Sequence, residues 1–114
     1  MDNIKRLKEI VKQLRSPGGC PWDIEQSMQS ITPHIIEEAY ELIEAIHSKD
    51  ETAIKEELGD VLLQVTMLSQ MAAEDQLFEL DNVAESACEK MIRRHPHVFG
   101  DASAKTSADV KEHW

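Results

Sequence analysis

Two short strings place acids where solvated carboxylates are not expected: "EEAYELIEAI", residues 37–46, and "EELGDVLLQV", residues 56–65. Each opens with two glutamates, and another acid follows three residues after the second of them. On a helix, positions i and i+3 are neighbours with Cβ atoms about 5–6 Å apart. Glu38 and Glu41 therefore point the same way, as do Glu57 and Asp60. In the later string the acids share an angular sector with Met67, Leu68 and Met71, within the run "VLLQVTMLSQMAA" that is apolar nearly all round. Carboxylates at the head of such a helix are costly unless neutralised. No Lys or Arg follows Lys55 in that helix. A hard divalent cation resolves the cost, because Mg²⁺ takes oxygen ligands and is held by carboxylates together with substrate phosphates. The competing reading is a solvated acidic face, and in the earlier string it has force. There Ile35, Ile36, Ala39, Leu42, Ile43 and Ile46 take one side and Glu37, Glu41 and Glu44 the other, with Glu38 near the boundary.

Helices must position these acids. Ile4, Leu7, Val11 and Leu14 form one stripe of an amphipathic helix, which "SPGG" stops. Asp23 is the expected cap of a short helix, with Gln26 close to a capping box. Thr32 is the expected cap of the next helix, with Pro33 in its first turn. "SKD" turns the chain into a long helix from about Glu51 to Glu74. Asp81 is the expected cap of a helix through "VAESACEKMIRR", and His95-Pro96 ends it. "ADVKEHW" reads as the start of one more. The fold class is all-α, a bundle of four to five helices. At 114 residues, with no linker or low-complexity tract, residues 1–114 read as a single domain.

Charge narrows the partners. The chain carries 22 acids against 12 bases, a formal net charge of −10, which repels nucleic acid and anionic membranes. Its apolar runs fall well short of the roughly 18 residues that suggest a bilayer span. Cys20 and Cys88 read as reduced thiols, so a cytoplasmic location is expected. Lys90, Arg93 and Arg94, spaced i, i+3 and i+4, form one basic helix face. They suit phosphate contacts, or equally the negative end of a helix dipole. Trp22 reads either as a surface for stacking a base or as packing beside a helix start. His95 and His97 flank a proline without the further ligands that zinc requires. "EAIH" supplies one Glu-x-x-His, Glu44 to His47, whereas a di-iron bundle needs two.

E-x-x-E, fifteen intervening residues, then E-x-x-D resembles the MazG-like all-α nucleoside triphosphate pyrophosphohydrolases. "GGCPWDIEQS" before the acids and "KMIRRHPHVFGD" after them extend the resemblance over most of the chain. It implies a helical bundle associating tightly, as a homodimer or a higher homo-oligomer. It also implies Mg²⁺-dependent hydrolysis (Mn²⁺ is the alternative ion) of a nucleoside triphosphate between its α and β phosphates. The family's metal and catalytic positions fall on Glu38, Glu41, Glu57 and Asp60. It favours phosphate contact by Lys90 and Arg94, with Arg93 beside them, and Trp22 is the candidate contact to the base. Glu37 and Glu56 are the extra acids of the EE pairs, and Met28 stands where the family has a histidine. Relatives continue their last helix beyond the position of Trp114. The chain therefore also reads as a shortened form, as half of a tandem protein, or as a non-catalytic dimerisation module.

Overall fold

Helix α1, Asn3–Leu14, begins because the Asp2 carboxylate accepts hydrogen bonds from the backbone amides of Ile4 and Lys5. Beyond Arg15 the chain reverses through Gly18, whose φ of 85° is left-handed, and Gly19, where a Cβ would collide with the Leu14 carbonyl. The computed structural model describes residues 2–101, 103 and 105–111, and among them there are seven helices and no strand. They form two compact units, Met1–Leu80 and Asp81–Trp114.

In the first unit, α1 is followed by α2 (Pro21–Glu25), α3 (Thr32–Ser48) and α4 (Glu51–Glu74). In the second, α5 (Leu80–Arg94) precedes the short α6 (Pro96–Phe99) and α7 (Ser107–Lys111). The four long helices, α1, α3, α4 and α5, are those the sequence requires, and α4 has the expected bounds. The rest of "ADVKEHW", residues 112–114, lies outside the described residues.

Three caps differ from expectation. Cys20, not Asp23, is the N-cap of α2, and Pro21 opens the helix where its missing N–H costs nothing. Ile31, not Thr32, is the N-cap of α3, because the Thr32 hydroxyl donates backwards to the Gln29 carbonyl. Helix α5 starts at Leu80, which leaves Asp81 inside its first turn.

Both α1 and α3 pack on α4. Val11, Ile31, Met67 and Met71 are buried together, with Leu7, Met28, Leu63 and Leu68 against them. Complete burial of a side chain such as Val11 is worth about 1.5–3 kcal/mol. Met28, which had no assigned role, is core packing. The hydroxyls of Thr66 and Ser69, also buried, donate to the carbonyls of Leu62 and Val65 one turn back, so α4 carries no unmet donor there.

The inward face of α3 is not the expected one. Ile31, Ile35, Glu38, Leu42 and Ala45, at spacings of four and three, make up its buried and half-buried stripe. Ile36, Tyr40, Ile43 and Ile46 are exposed. Glu38 thus belongs to the packed stripe rather than to its edge. Helix α4 is likewise covered on fewer sides than its composition implies: only Thr66, Met67, Ser69, Met71 and Ala72 are buried, and Val65 and Leu58 are exposed.

Candidate metal centre

A tight turn decides which acids meet. Lys49 adopts a left-handed φ of 59°, ending α3, and Asp50 caps α4 by accepting from the amides of Thr52 and Ala53. Glu41 stands eight residues before Lys49 and Glu57 eight after; Glu38 stands eleven before and Asp60 eleven after. When two helices fold back on each other, residues equidistant from the turn come level, because both climb about 1.5 Å per residue. The equal counts therefore bring the two acid pairs face to face.

Each of Glu38, Glu41, Glu57 and Asp60 offers a carboxylate oxygen, and the four oxygens lie within 4.8 Å of one another. Glu41 is exposed and the other three are half-buried. The Oε2 atoms of Glu38 and Glu57 are buried without a hydrogen-bond partner among the described residues. Such crowding disfavours ionisation. The Glu57 carboxyl is pushed up to about 7, first by burial, then by the charges of Glu41 and Asp60 and a hydrogen bond with Glu41. Glu38 is raised too, by burial first, then by Glu41 and Asp60. Two orphaned buried oxygens in a set of four hard oxygen donors fit a divalent cation of the Mg²⁺ class.

The remaining candidates are spread over both units. Trp22, on α2, makes an edge-to-face ring contact with His34 in the first turn of α3, at a centroid distance of 5.8 Å. His34 in turn places Nδ1 3.7 Å from Glu37 Oε2. Its role was not visible in the sequence, where a histidine after a helix-opening proline carries no motif. Lys90, Arg93 and Arg94 lie on α5, with both arginines in its last turn. His95 follows that helix and donates from Nδ1 to the Met91 carbonyl at 2.6 Å. Glu44 and His47 are exposed on α3 and are not part of the four-acid group.

Residues 26–99 match the model of the MazG nucleotide pyrophosphohydrolase domain. The chain is 51% identical, over 94% of its length, to a Thermotoga maritima protein named nucleoside triphosphate pyrophosphohydrolase/pyrophosphatase MazG. It is 44% identical, over its whole length, to the nucleoside triphosphate pyrophosphohydrolase of Escherichia coli. It spans 43% of the former protein and 44% of the latter. The crystal structure of a mazG-related protein from Thermotoga maritima superposes with a TM-score of 0.76 at 26% identity, over 96% of this chain and 94% of that one. A helical hairpin that levels four acids, within a fold and a sequence of this kind, makes the chain a member of the MazG nucleotide pyrophosphohydrolase domain family.

Proposed function

We propose that this chain hydrolyses nucleoside triphosphates between the α and β phosphates, acting as a single domain over residues 1–114. Water attacks the α phosphorus, the bond from that phosphorus to the bridging oxygen breaks, and a nucleoside monophosphate and pyrophosphate leave. The observation that carries this reading is the convergence of Glu38, Glu41, Glu57 and Asp60 within 4.8 Å. Bound there, Mg²⁺ (or Mn²⁺) would neutralise phosphate charge and make water a better nucleophile. The four carboxylates would hold that ion, and any of them left unligated can accept the proton of the attacking water. Without a cation, a chain of net charge −10 would repel a polyphosphate. Measuring pyrophosphate release from a nucleotide panel with Mg²⁺ checks the reading. Silence across the whole panel would leave a non-catalytic module of the same fold.

Lys90 and Arg94, with Arg93, contact phosphate oxygens in this reading, and Trp22 meets the base. Alanine at Lys90 or Arg94 should raise KM or lower kcat with folding intact. Charge-assisted hydrogen bonds of about 1.5–3 kcal/mol correspond to losses in kcat/KM of roughly tenfold to a hundredfold. Unchanged kcat/KM in both variants returns the bases to a dipole-and-surface role.

The chain is further proposed to work as a homo-oligomer, most simply a dimer, in the cytoplasm. Ile36, Tyr40, Ile43 and Ile46 on α3, and Leu58 on α4, present apolar surface to solvent in the single chain. No helix among the described residues is long and apolar enough to cross a membrane. Light scattering should show a dimer or larger species at micromolar concentration. A stable folded monomer there contradicts the proposal.

A further inference from the structure

The bases of this acidic chain are unevenly distributed. Five of its twelve, against two of its 22 acids, lie in residues 1–15, so that segment carries a formal charge of +3 within a chain of −10. On α1, Lys5, Lys8 and Lys12 follow one another at spacings of three and four and share a helix face. That face is more than a solvated surface. Together with Gln70 and Ala73 of α4, the three lysines line a cleft of about 450 Å³, within the size range of small-molecule sites. Gln70 stands ten residues after Asp60, roughly 15 Å along α4 at about 1.5 Å per residue, so the cleft is separate from the four acids.

Glu9, Glu74 and Glu79 also line the cleft, and their engagements decide its sign. Glu74 is held on both oxygens. Arg15, with only 9% of its side chain exposed, donates to it from Nε and Nη2, each at 2.9 Å, and Gln70 Nε2 donates at 3.2 Å. The hydrogen bond from Arg15 keeps the Glu74 carboxyl below its usual pKa, so the two charges cancel. Nη1 of Arg15 donates to the carbonyls of Asp23 and Gln26, which fixes the guanidinium in place. Glu79 Oε1 meets Lys8 Nζ at 3.5 Å, with 62% of the Glu79 side chain exposed. An exposed pair of that length contributes little and exchanges readily. Three lysines thus face the charges of Glu9 and Glu79 alone, and the cleft keeps a net positive charge.

We propose that this cleft binds a small anion carrying several phosphate groups in a row, independently of the metal centre and of the hydrolytic reading. Lysine ammonium groups bind phosphate as point charges with three rotatable donors each. From Lys5 to Lys12 they are set along about 10 Å of helix axis, which suits a chain of phosphates better than a single one. Such an ion displaces Glu79 from Lys8 and leaves the Arg15–Glu74 pair intact. The cleft needs no cation to attract it, whereas the four acids repel a polyphosphate until a cation intervenes.

The test uses the full chain, stripped of metal on a chelating resin and titrated calorimetrically with tripolyphosphate at low ionic strength. One tripolyphosphate should bind per chain, and added salt should weaken it steeply. Lys5→Gln, Lys8→Gln and Lys12→Gln preserve helix propensity. Each should weaken binding on the order of tenfold, the size of one charge-assisted hydrogen bond. Glu57→Gln should bind as the parent does, and the lysine variants should keep whatever Mg²⁺-dependent pyrophosphate release the parent shows. A nucleoside triphosphate analogue with an α,β-methylene bridge identifies the source of the phosphates. Affinity equal to that of tripolyphosphate means that the phosphate chain alone is recognised; tighter binding, still lost with the lysines, assigns the cleft to a nucleotide. Both results uphold it. The proposal is overturned if the metal-free parent binds no tripolyphosphate, or if binding survives replacement of all three lysines. Loss of binding in Lys90→Ala/Arg94→Ala, or equal competition by sulfate at matched ionic strength, overturns it as well.

Discussion

Glu57→Gln should lower pyrophosphate release by at least about a hundredfold, because even residues that only support metal ligands change affinity or activity 10–100-fold. The same variant should leave the metal-free protein as stable as the parent, or more so. Glu57 offers an oxygen within 4.8 Å of those of three other carboxylates, and its Oε2 is buried without a partner among the described residues. Replacing its charge with a neutral amide of the same shape relieves repulsion and gives that crowded space hydrogen-bond donors. A ligand to an essential cation and a structural acid therefore move in opposite directions in one pair of experiments, a pyrophosphate assay and a thermal melt. An unfolded variant, alongside a parent indifferent to Mg²⁺, would make the acids structural and end the enzymatic reading.

Magnesium should stabilise the parent protein strongly, and the effect should grow with pH. A ligand that binds only the folded state at a hundredfold excess over its Kd adds about 2.7 kcal/mol. For a domain of this size that corresponds to a rise in Tm on the order of 10 °C. The pH dependence follows from Glu57, whose folded-state pKa is raised from 4.5 to about 7. The folded protein holds that proton more tightly than the unfolded chain, so the group favours folding below pH 4.5 and this advantage disappears as pH rises towards 7. Glu38 acts in the same direction. Glu74 opposes them, since Arg15 lowers its pKa and its contribution is lost as pH falls. Metal-free melts should thus decline between mildly acidic and neutral pH, whereas melts in Mg²⁺ should not, because the cation displaces the protons. Calorimetry at several pH values, with Mg²⁺ and with chelator, checks both trends. A metal-free Tm that climbs steadily to pH 8 would contradict the crowding described here.

The four acids were legible in the sequence because helix periodicity alone pairs Glu38 with Glu41 and Glu57 with Asp60. That the two pairs meet depends on the turn, and the decisive fact is positional: both are equidistant from Lys49. The bounds of α4 were readable for a similar reason, since Asp50 and the apolar run mark its limits locally. The orientation of α3 was not. Ile31, Ile35, Leu42 and Ala45 make one apolar stripe and Ile36, Ile43 and Ile46 another. Periodicity reports that both are apolar but not which one α4 covers. The caps failed for a smaller reason, because Asp23, Thr32 and Asp81 are competent cap residues whose neighbours also allow the helix to start elsewhere. Arg15 was invisible as well: a basic residue at the end of an amphipathic helix looks solvated until Glu74 and the carbonyls of Asp23 and Gln26 enclose it.

The turn at Lys49 also has a hereditary meaning. All four acids, and the symmetry that aligns them, are encoded in one uninterrupted stretch, residues 38–60. A gene duplication or fusion that copies this hairpin transmits the complete acid set in a single event. Most lesions elsewhere in the gene spare it. A single codon gained or lost between Glu41 and Glu57, by contrast, breaks the equal count and puts one acid pair out of step with the other. Insertions in this lineage should therefore accumulate outside the hairpin, and lengths within it should change only in compensating steps on both sides of the turn.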